Sequence, residues 1–279
     1  MPVRCIYNII KINIEKNKFT FKYVYVENFG GETVAQEQEK YEYLGKGIYA
    51  VISSSHGFGT DALLLADFAS PKTKDRVCDM GTGCGIIPLA MMRNASPSFV
   101  CGIEIQPMGA EQFRKGIEKS GLSEKMQAIN CDIKDKKSLP PAGSFDIVTM
   151  NPPYKGAGAG IESTASAEKI ARHETLCTAD DVCAAASYLV RYGGKVCFCY
   201  RPERLCEILC KMNSYKIEPK RIRFVSKNSQ CEPWLVLIEG RKGGKPGMRV
   251  EKNLFIQNPD GSDSEELLRI LGDYRENVK

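Results

Sequence analysis

Two short stretches of this sequence carry residue types spaced for chemistry. In the first, Asp79-Met80-Gly81-Thr82-Gly83-Cys84-Gly85, an acidic residue precedes three glycines at alternate positions. Glycines so placed let the backbone pass close to a ligand, and a helix opening behind them turns its N-terminal amides toward it. In the second, Asn151-Pro152-Pro153-Tyr154, a carboxamide stands beside a rigid Pro-Pro turn and an aromatic ring. An exocyclic amine on adenine is a poor nucleophile, because its lone pair is delocalised into the ring. If the Asn151 side-chain oxygen and the Pro152 carbonyl each accept one amine hydrogen, the nitrogen is drawn toward tetrahedral geometry and its lone pair is freed. Positioning and electrostatics then carry the reaction, with no strong general base. Tyr154 is suited to stack on the base, which has to be unpaired or flipped to reach such a pocket.

These groups need a scaffold that gathers strand ends, and the apolar pattern supplies one. Short apolar runs alternate with helical patterns from Arg76 onward, which predicts a parallel sheet covered by helices. Strands are expected at 76–80, 99–103, 126–131, 146–150 and 195–200, with helices between them. Thr178 and Asp181 resemble an acidic capping box that opens a helix reaching Val190, which Gly193-Gly194 then stops. Runs at 221–225 and 234–239 have little between them and read as an antiparallel hairpin at the C-terminal sheet edge. The fold class is therefore α/β, a doubly wound, mostly parallel seven-stranded sheet. Residues 1–42 form an extension with a hairpin and a polar, mobile linker, residues 43–252 the main domain, and residues 253–279 a tail.

In such a sheet, ligands bind beyond the carboxyl ends of the strands. Asp79, Glu104 and Asp132 each end a strand there. Asp79 is expected to anchor an ammonium, directly or through water, while Gly81, Gly83 and Gly85 bring backbone near it. Glu104 is placed to accept both hydroxyls of a ribose, and Asp132 the amino group of an adenine, with Ile133 on the ring. A nicotinamide dinucleotide fits less well, since the spacing is GxGxG and not GxGxxG, and hydride transfer has no use for Asn-Pro-Pro-Tyr.

Net charge is +5, and it is unevenly spread: residues 191–252 hold fifteen Lys and Arg against six Asp and Glu. That imbalance points to a polyanion. Twelve cysteines are scattered without a CxxC pair and there are two histidines, so we expect reduced, buried thiols, no metal site and a cytoplasmic location. No apolar stretch is long enough to cross a membrane.

With both motifs in place, the chain resembles S-adenosylmethionine-dependent methyltransferases of class I that act on a planar amine. More narrowly, it is similar to the bacterial valine-tRNA adenine N6-methyltransferases. The similar stretches include 56–66 (HGFGTDALLLA), the glycine loop, Asn151 to Lys155, Ala171-Arg172-His173-Glu174, Arg201-Pro202-Glu203-Arg204-Leu205 and 241–247 (RKGGKPG). The resemblance runs from about Tyr43 to the end. It implies that Gly59, Thr60 and Asp61 wall the cofactor pocket and that tRNA meets the basic C-terminal region. Arg172, Arg201, Arg204, Arg221, Arg223, Arg241, Lys242 and Lys245 are the cations expected to bind it. Glutamine methylation on a protein is a competing reading, as is an RNA-binding protein that holds the cofactor without catalysis.

Overall fold

The computed structural model describes residues 11–15, 18–22, 39–53, 57–152 and 177–277. Pro153, Tyr154 and Arg172 lie outside the described residues, as does the linker expected before Lys40. Near the N-terminus, β1 (Lys11–Glu15) and β2 (Lys18–Lys22) pair antiparallel with Lys11 opposite Lys22. A second antiparallel hairpin, β3 (Lys40–Gly45) and β4 (Ile48–Ile52), turns through Lys46 and Gly47 and leads toward α1 (Thr60–Ala69).

The alternating unit follows as β5 (Arg76–Met80), α2 (Ile86–Ala95), β6 (Phe99–Glu104), α3 (Pro107–Lys119), β7 (Met126–Asn130) and β8 (Phe145–Met150). It continues with α4 (Ala179–Leu189), β9 (Val190–Tyr200), α5 (Leu205–Ser214), β10 (Ile217–Ser226) and β11 (Pro233–Lys242). Strands β5 to β9 are parallel where they pair, and β11 runs antiparallel between β9 and β10. This is the expected doubly wound sheet with its antiparallel hairpin. Its strand count differs, because the two-residue strands β12 (Arg249–Val250) and β13 (Leu254–Phe255) add to β10 and bring the sheet to nine. The seven long strands keep the order β10-β11-β9-β8-β5-β6-β7.

Both faces of the sheet are buried, and the period of two divides neighbouring residues between them. Val77, Val100, Ile147 and Leu237 face a core built with Leu63, Leu64, Leu89 and Phe113 from α1, α2 and α3. Cys78, Cys101, Val148 and Phe198 face the other core, with Val182, Leu189, Ile208 and Met212 from α4 and α5. Helix α4 opens on the capping box read from sequence: the Thr178 hydroxyl accepts from Asp181 N at 3.2 Å, and the Asp181 carboxylate accepts from Thr178 N at 2.9 Å. Gly193-Gly194 do not stop this helix. It ends at Leu189, and the two glycines sit inside β9 beside a register shift against β8. The reason is close approach, since a Cβ on Gly194 would lie 2.8 Å from the Asp146 carbonyl oxygen.

Arg93 on α2 ties β3 and the last α-helix to this core. Its guanidinium is buried and donates to the Leu44 carbonyl (3.0 Å) and to the Ile270 and Leu271 carbonyls (2.7 and 2.8 Å). The last two close the C-terminus of α6 (Glu265–Leu271), where unpaired carbonyls favour a cation. Arg93→Ala would strand these carbonyls in a buried place and is expected to lower unfolding stability by roughly 3 kcal/mol. A urea titration followed by circular dichroism checks this; a loss below about 1 kcal/mol would mean that solvent replaces the guanidinium.

Candidate active site

Because β5, β6, β7 and β8 are parallel, their carboxyl ends open on one side of the sheet, and a cavity of about 430 Å³ lies there. That volume falls within the roughly 300–1,000 Å³ of small-ligand clefts. Gly81 and Gly83 form one wall, Ile103, Glu104, Ile105 and Gln106 a second, Cys131, Asp132 and Ile133 a third, and Met150, Asn151 and Pro152 a fourth, with Asp61 and Cys177 completing it.

The glycine loop is held in a conformation that other residues rarely adopt. Gly81, Gly83 and Gly85 have φ of 64°, 55° and 81°. At Gly85, a Cβ would also lie 1.8 Å from the Phe113 ring, so α2 can start only if this position has no side chain. Glu104 then clamps the loop. Its two carboxylate oxygens accept from Gly83 N and Gln106 N, each at 2.8 Å, and it is only 5% exposed. Each oxygen keeps a second lone-pair direction for a ligand hydroxyl.

Asp132 lines the cavity and accepts from Lys134 N through one oxygen (2.9 Å), with Ile133 beside it. Asp79 stands elsewhere than expected. It has no exposed surface and does not line the cavity, but lies behind the loop, where Oδ1 accepts from the Thr149 hydroxyl at 2.6 Å and Oδ2 has no partner. Burial raises its pKa to about 7, against the opposing pull of the Thr149 hydrogen bond. Direct contact between Asp79 and a ligand does not fit this placement.

Asn151 stands at the end of β8 and faces three groups that matter. Its Nδ2 donates to Asp61 Oδ2 at 3.1 Å, its Oδ1 accepts from the Cys199 thiol at 2.9 Å, and the cavity lies beside it. Of the three residues expected to wall the pocket, Asp61 does so; Gly59 is the N-cap and Thr60 the first residue of α1, and neither lines the cavity. The lining by Ile103, Ile105, Gln106, Cys131, Met150 and Cys177 was not anticipated. Ile103, Ile105 and Cys131 directly adjoin the acidic positions, which is the signal that could have found them.

The expected patch of cations is split. Arg201 and Arg204 follow β9 at the cavity end of the sheet. There the Arg201 guanidinium lies 5.7 Å from the Trp234 ring centroid and donates to the Trp234 carbonyl, and Arg204 pairs with Glu207. Arg241 and Lys242 end the antiparallel β11, and Arg241 lies opposite Lys195 at the far end, with Lys245 beyond it. Arg221 and Arg223 belong to internal pairs: Arg221 holds Glu239 (2.8 Å) and stacks on Phe68, and Arg223 grips Glu266 (2.7 Å). A single RNA-binding face made of all these cations does not fit the geometry, because a strand reversal separates two groups and ion pairing consumes the third.

The cysteines are free among the described residues; Cys78, Cys101, Cys197 and Cys199 are buried, whereas Cys206, Cys210 and Cys231 are exposed, contrary to the expectation that they lie in the core. No cluster of ligands suited to a metal occurs among the described residues, and no described helix is long and apolar enough to cross a membrane.

S-adenosylmethionine, with a cationic ammonium and sulfonium, a ribose diol and an adenine, fits this donor set. Glu104 and Asp132 place acceptors round the cavity, and Ile105 and Ile133 supply apolar surface. Fold and site together define a class I S-adenosylmethionine-dependent methyltransferase. Residues 50–187 match the family described as methyltransferase small domain. It is 29% identical over 160 residues to the tRNA1(Val) (adenine(37)-N6)-methyltransferase of Aeromonas salmonicida, covering 57% of this chain and 65% of that protein. The protein of the same name from Aeromonas hydrophila is 26% identical over 225 residues, covering 77% of this chain and 89% of its own. A solved structure described as a predicted O-methyltransferase from Agrobacterium tumefaciens shares the fold at a TM-score of 0.62 and 19% identity, over 77% of this chain and 96% of that one.

Two expectations follow. Glu104→Gln puts an amide NH2 against a backbone N–H, so one clamp breaks, and cofactor affinity in calorimetry is expected to fall roughly 10-fold or more. For Asp79, the folded pKa of about 7 exceeds the unfolded 3.8, so the folded chain binds the proton more tightly. Its favourable contribution is complete below the unfolded value and is lost as pH rises through the folded one. Asp79→Asn should therefore raise Tm, by an amount that grows between about pH 4 and pH 7 and is level above that. A pH series of thermal melts showing a constant difference would remove the buried ionisation.

Proposed function

We propose that this chain transfers a methyl group from S-adenosylmethionine to the N6 amine of an adenine in tRNA, with position 37 of a valine tRNA, the substrate its relatives' names give, as the site. The observation that carries the reading is Asn151, held at the cavity wall with its amide fixed on both sides. When bound, the cofactor supplies an electrophilic methyl on a sulfonium. The chain supplies the rest. Gly81, Gly83, Glu104 and Asp132 hold the nucleoside and amino-acid portions. Asn151 Oδ1 and the Pro152 carbonyl accept the amine hydrogens, and the lone pair is then directed outward from the ring. The departing proton follows transfer, when the methylated nitrogen is cationic and acidic enough to lose it to solvent water, so no strong base has to precede it. Tyr154 stacks on the extruded base, and tRNA phosphates meet Arg201 and Arg204 round the opening and Arg241, Lys242 and Lys245 at the distant end of the sheet, with Arg172 as a further phosphate ligand. A cytoplasmic location belongs to the same reading.

Mass spectrometry of tRNA nucleosides from a deletion strain and its parent tests it: loss of N6-methyladenosine is expected, and an unchanged nucleoside profile together with a missing methylglutamine would replace it with protein methylation. Asn151→Ala is expected to reduce single-turnover methyl transfer by at least roughly 100-fold while cofactor affinity stays within a few-fold. Near-normal turnover in this variant would take Asn151 out of the chemistry.

A further inference from the structure

Resting on the amine-methylation reading, we propose that Asp61 is a positioning residue for Asn151, fixing which end of its carboxamide meets the target amine. A carboxamide is nearly symmetric in shape, so packing alone does not decide whether oxygen or NH2 points at the substrate. The neighbours decide it here. Asp61 Oδ2 accepts from Asn151 Nδ2 at 3.1 Å, and the Cys199 thiol donates to Asn151 Oδ1 at 2.9 Å. An ionised carboxylate only accepts, and rotating the amide by half a turn would set oxygen against oxygen at Asp61 and NH2 against S–H at Cys199. The charge at Asp61 also polarises the amide, leaving Oδ1 a stronger acceptor for the amine.

Asp61 is itself held in place. Its other oxygen, Oδ1, accepts from Ala62 N at 3.0 Å in the first turn of α1, where the helix terminus favours a negative charge. Gly59 explains how the carboxylate folds back this far. Its backbone is extended, with φ −105° and ψ 172°, so the conformation suits any residue, but a Cβ would lie 2.6 Å from Asp61 Oδ1. The glycine at position 59 makes room for the carboxylate and is not needed for its own torsion. A line of contacts therefore runs from the start of α1 through Asp61 to Asn151, across ninety positions of sequence.

The test compares wild type with Asp61→Asn and Gly59→Ala. The first keeps the shape but offers NH2 as readily as oxygen; the second displaces the carboxylate without removing it. Methyl transfer is measured on an unmodified valine tRNA transcript, cofactor binding by calorimetry with S-adenosylmethionine, and the Asn151 side-chain NH2 resonances by 15N NMR. In both variants kcat is expected to fall roughly 10- to 100-fold at saturating cofactor, with cofactor affinity and the KM for tRNA within about threefold. The two NH2 protons of Asn151, separated in the wild type by the charged acceptor, are expected to collapse toward free-amide shifts. Retained cofactor binding reports that the variants fold. Turnover restored by saturating cofactor would overturn the proposal and make Asp61 a cofactor ligand, and unchanged turnover with unchanged NH2 shifts would overturn it as well. The resonances need no substrate, so a wild type that methylated no adenine would defeat the function proposed above while collapse of the shifts still supported Asp61 as the orienting group.

Discussion

Glu104 is the point on which the cofactor end of this molecule turns. Its carboxylate bridges the amides of Gly83 and Gln106, so the loop leaving β5 and the corner leaving β6 are joined by one buried anion. Two backbone amides that would otherwise sit unpaired near a hydrophobic core are satisfied, and an anion that would be costly to bury is solvated by them. The same clamp brings α2 and α3 close, and the contact is so tight that Gly85 lies against Phe113 with no room for a side chain. Loop shape, helix packing and a ligand-facing carboxylate are thus a single arrangement. Changing the acid disturbs all three.

At the other end of the cavity the logic is different, because the groups come from distant parts of the chain. Asn151 ends β8, Cys199 lies on the neighbouring β9, and Asp61 opens α1, well before the sheet begins. The parallel register of β8 and β9 sets Met150 beside Phe198 and so carries Asn151 and Cys199 to the same level. Helix α1 reaches them by packing its leucines on the face that also receives Leu89 and Phe113. Its far end is secured in turn: Asp67 holds Arg269 on α6, and the Phe68 carbonyl accepts from Arg221. Arg221 and Arg223, two of the arginines that the sequence offers as RNA ligands, are instead spent on internal contacts, Arg221 at the far end of α1 and Arg223 on Glu266 of α6.

How much of this could be read beforehand depended on whether a signal was local. The strand at Arg76–Met80 and the helix at Ile86–Ala95 announce themselves by apolar pattern and glycine spacing, and acidic residues at consecutive strand ends marked the cavity. The capping box at Thr178 is likewise a matter of three residues. The hairpin of β3 and β4 escaped notice because its pairing is between neighbours of mixed polarity, and β12 and β13 because two residues carry no periodicity. Asp79 looked like a ligand since it precedes the glycines; only the sheet shows that its side chain turns inward to Thr149. The charge excess between 191 and 252 looked continuous along the chain, yet the antiparallel run of β11 sends Arg241 and Lys242 away from Arg201. One-dimensional clustering of charge survives folding only when the chain does not reverse.

The distribution of charge that results constrains how RNA can be used. The cavity is lined by Asp61, Glu104 and Asp132, with Asp79 buried behind it, in a protein whose net charge is +5. A cleft of this sign attracts a cationic cofactor and repels phosphate, and low-dielectric walls strengthen both effects. Under the proposed function, the sugar-phosphate backbone must then stay at the rim, near Arg201, while the one part of a nucleotide that enters is its uncharged base. Extrusion of the adenine follows from electrostatics as much as from the shape of the cavity. The same acidic lining disfavours entry by an anionic methyl acceptor such as a carboxylate or phosphate, and leaves a neutral amine as the group that can come within reach of Asn151.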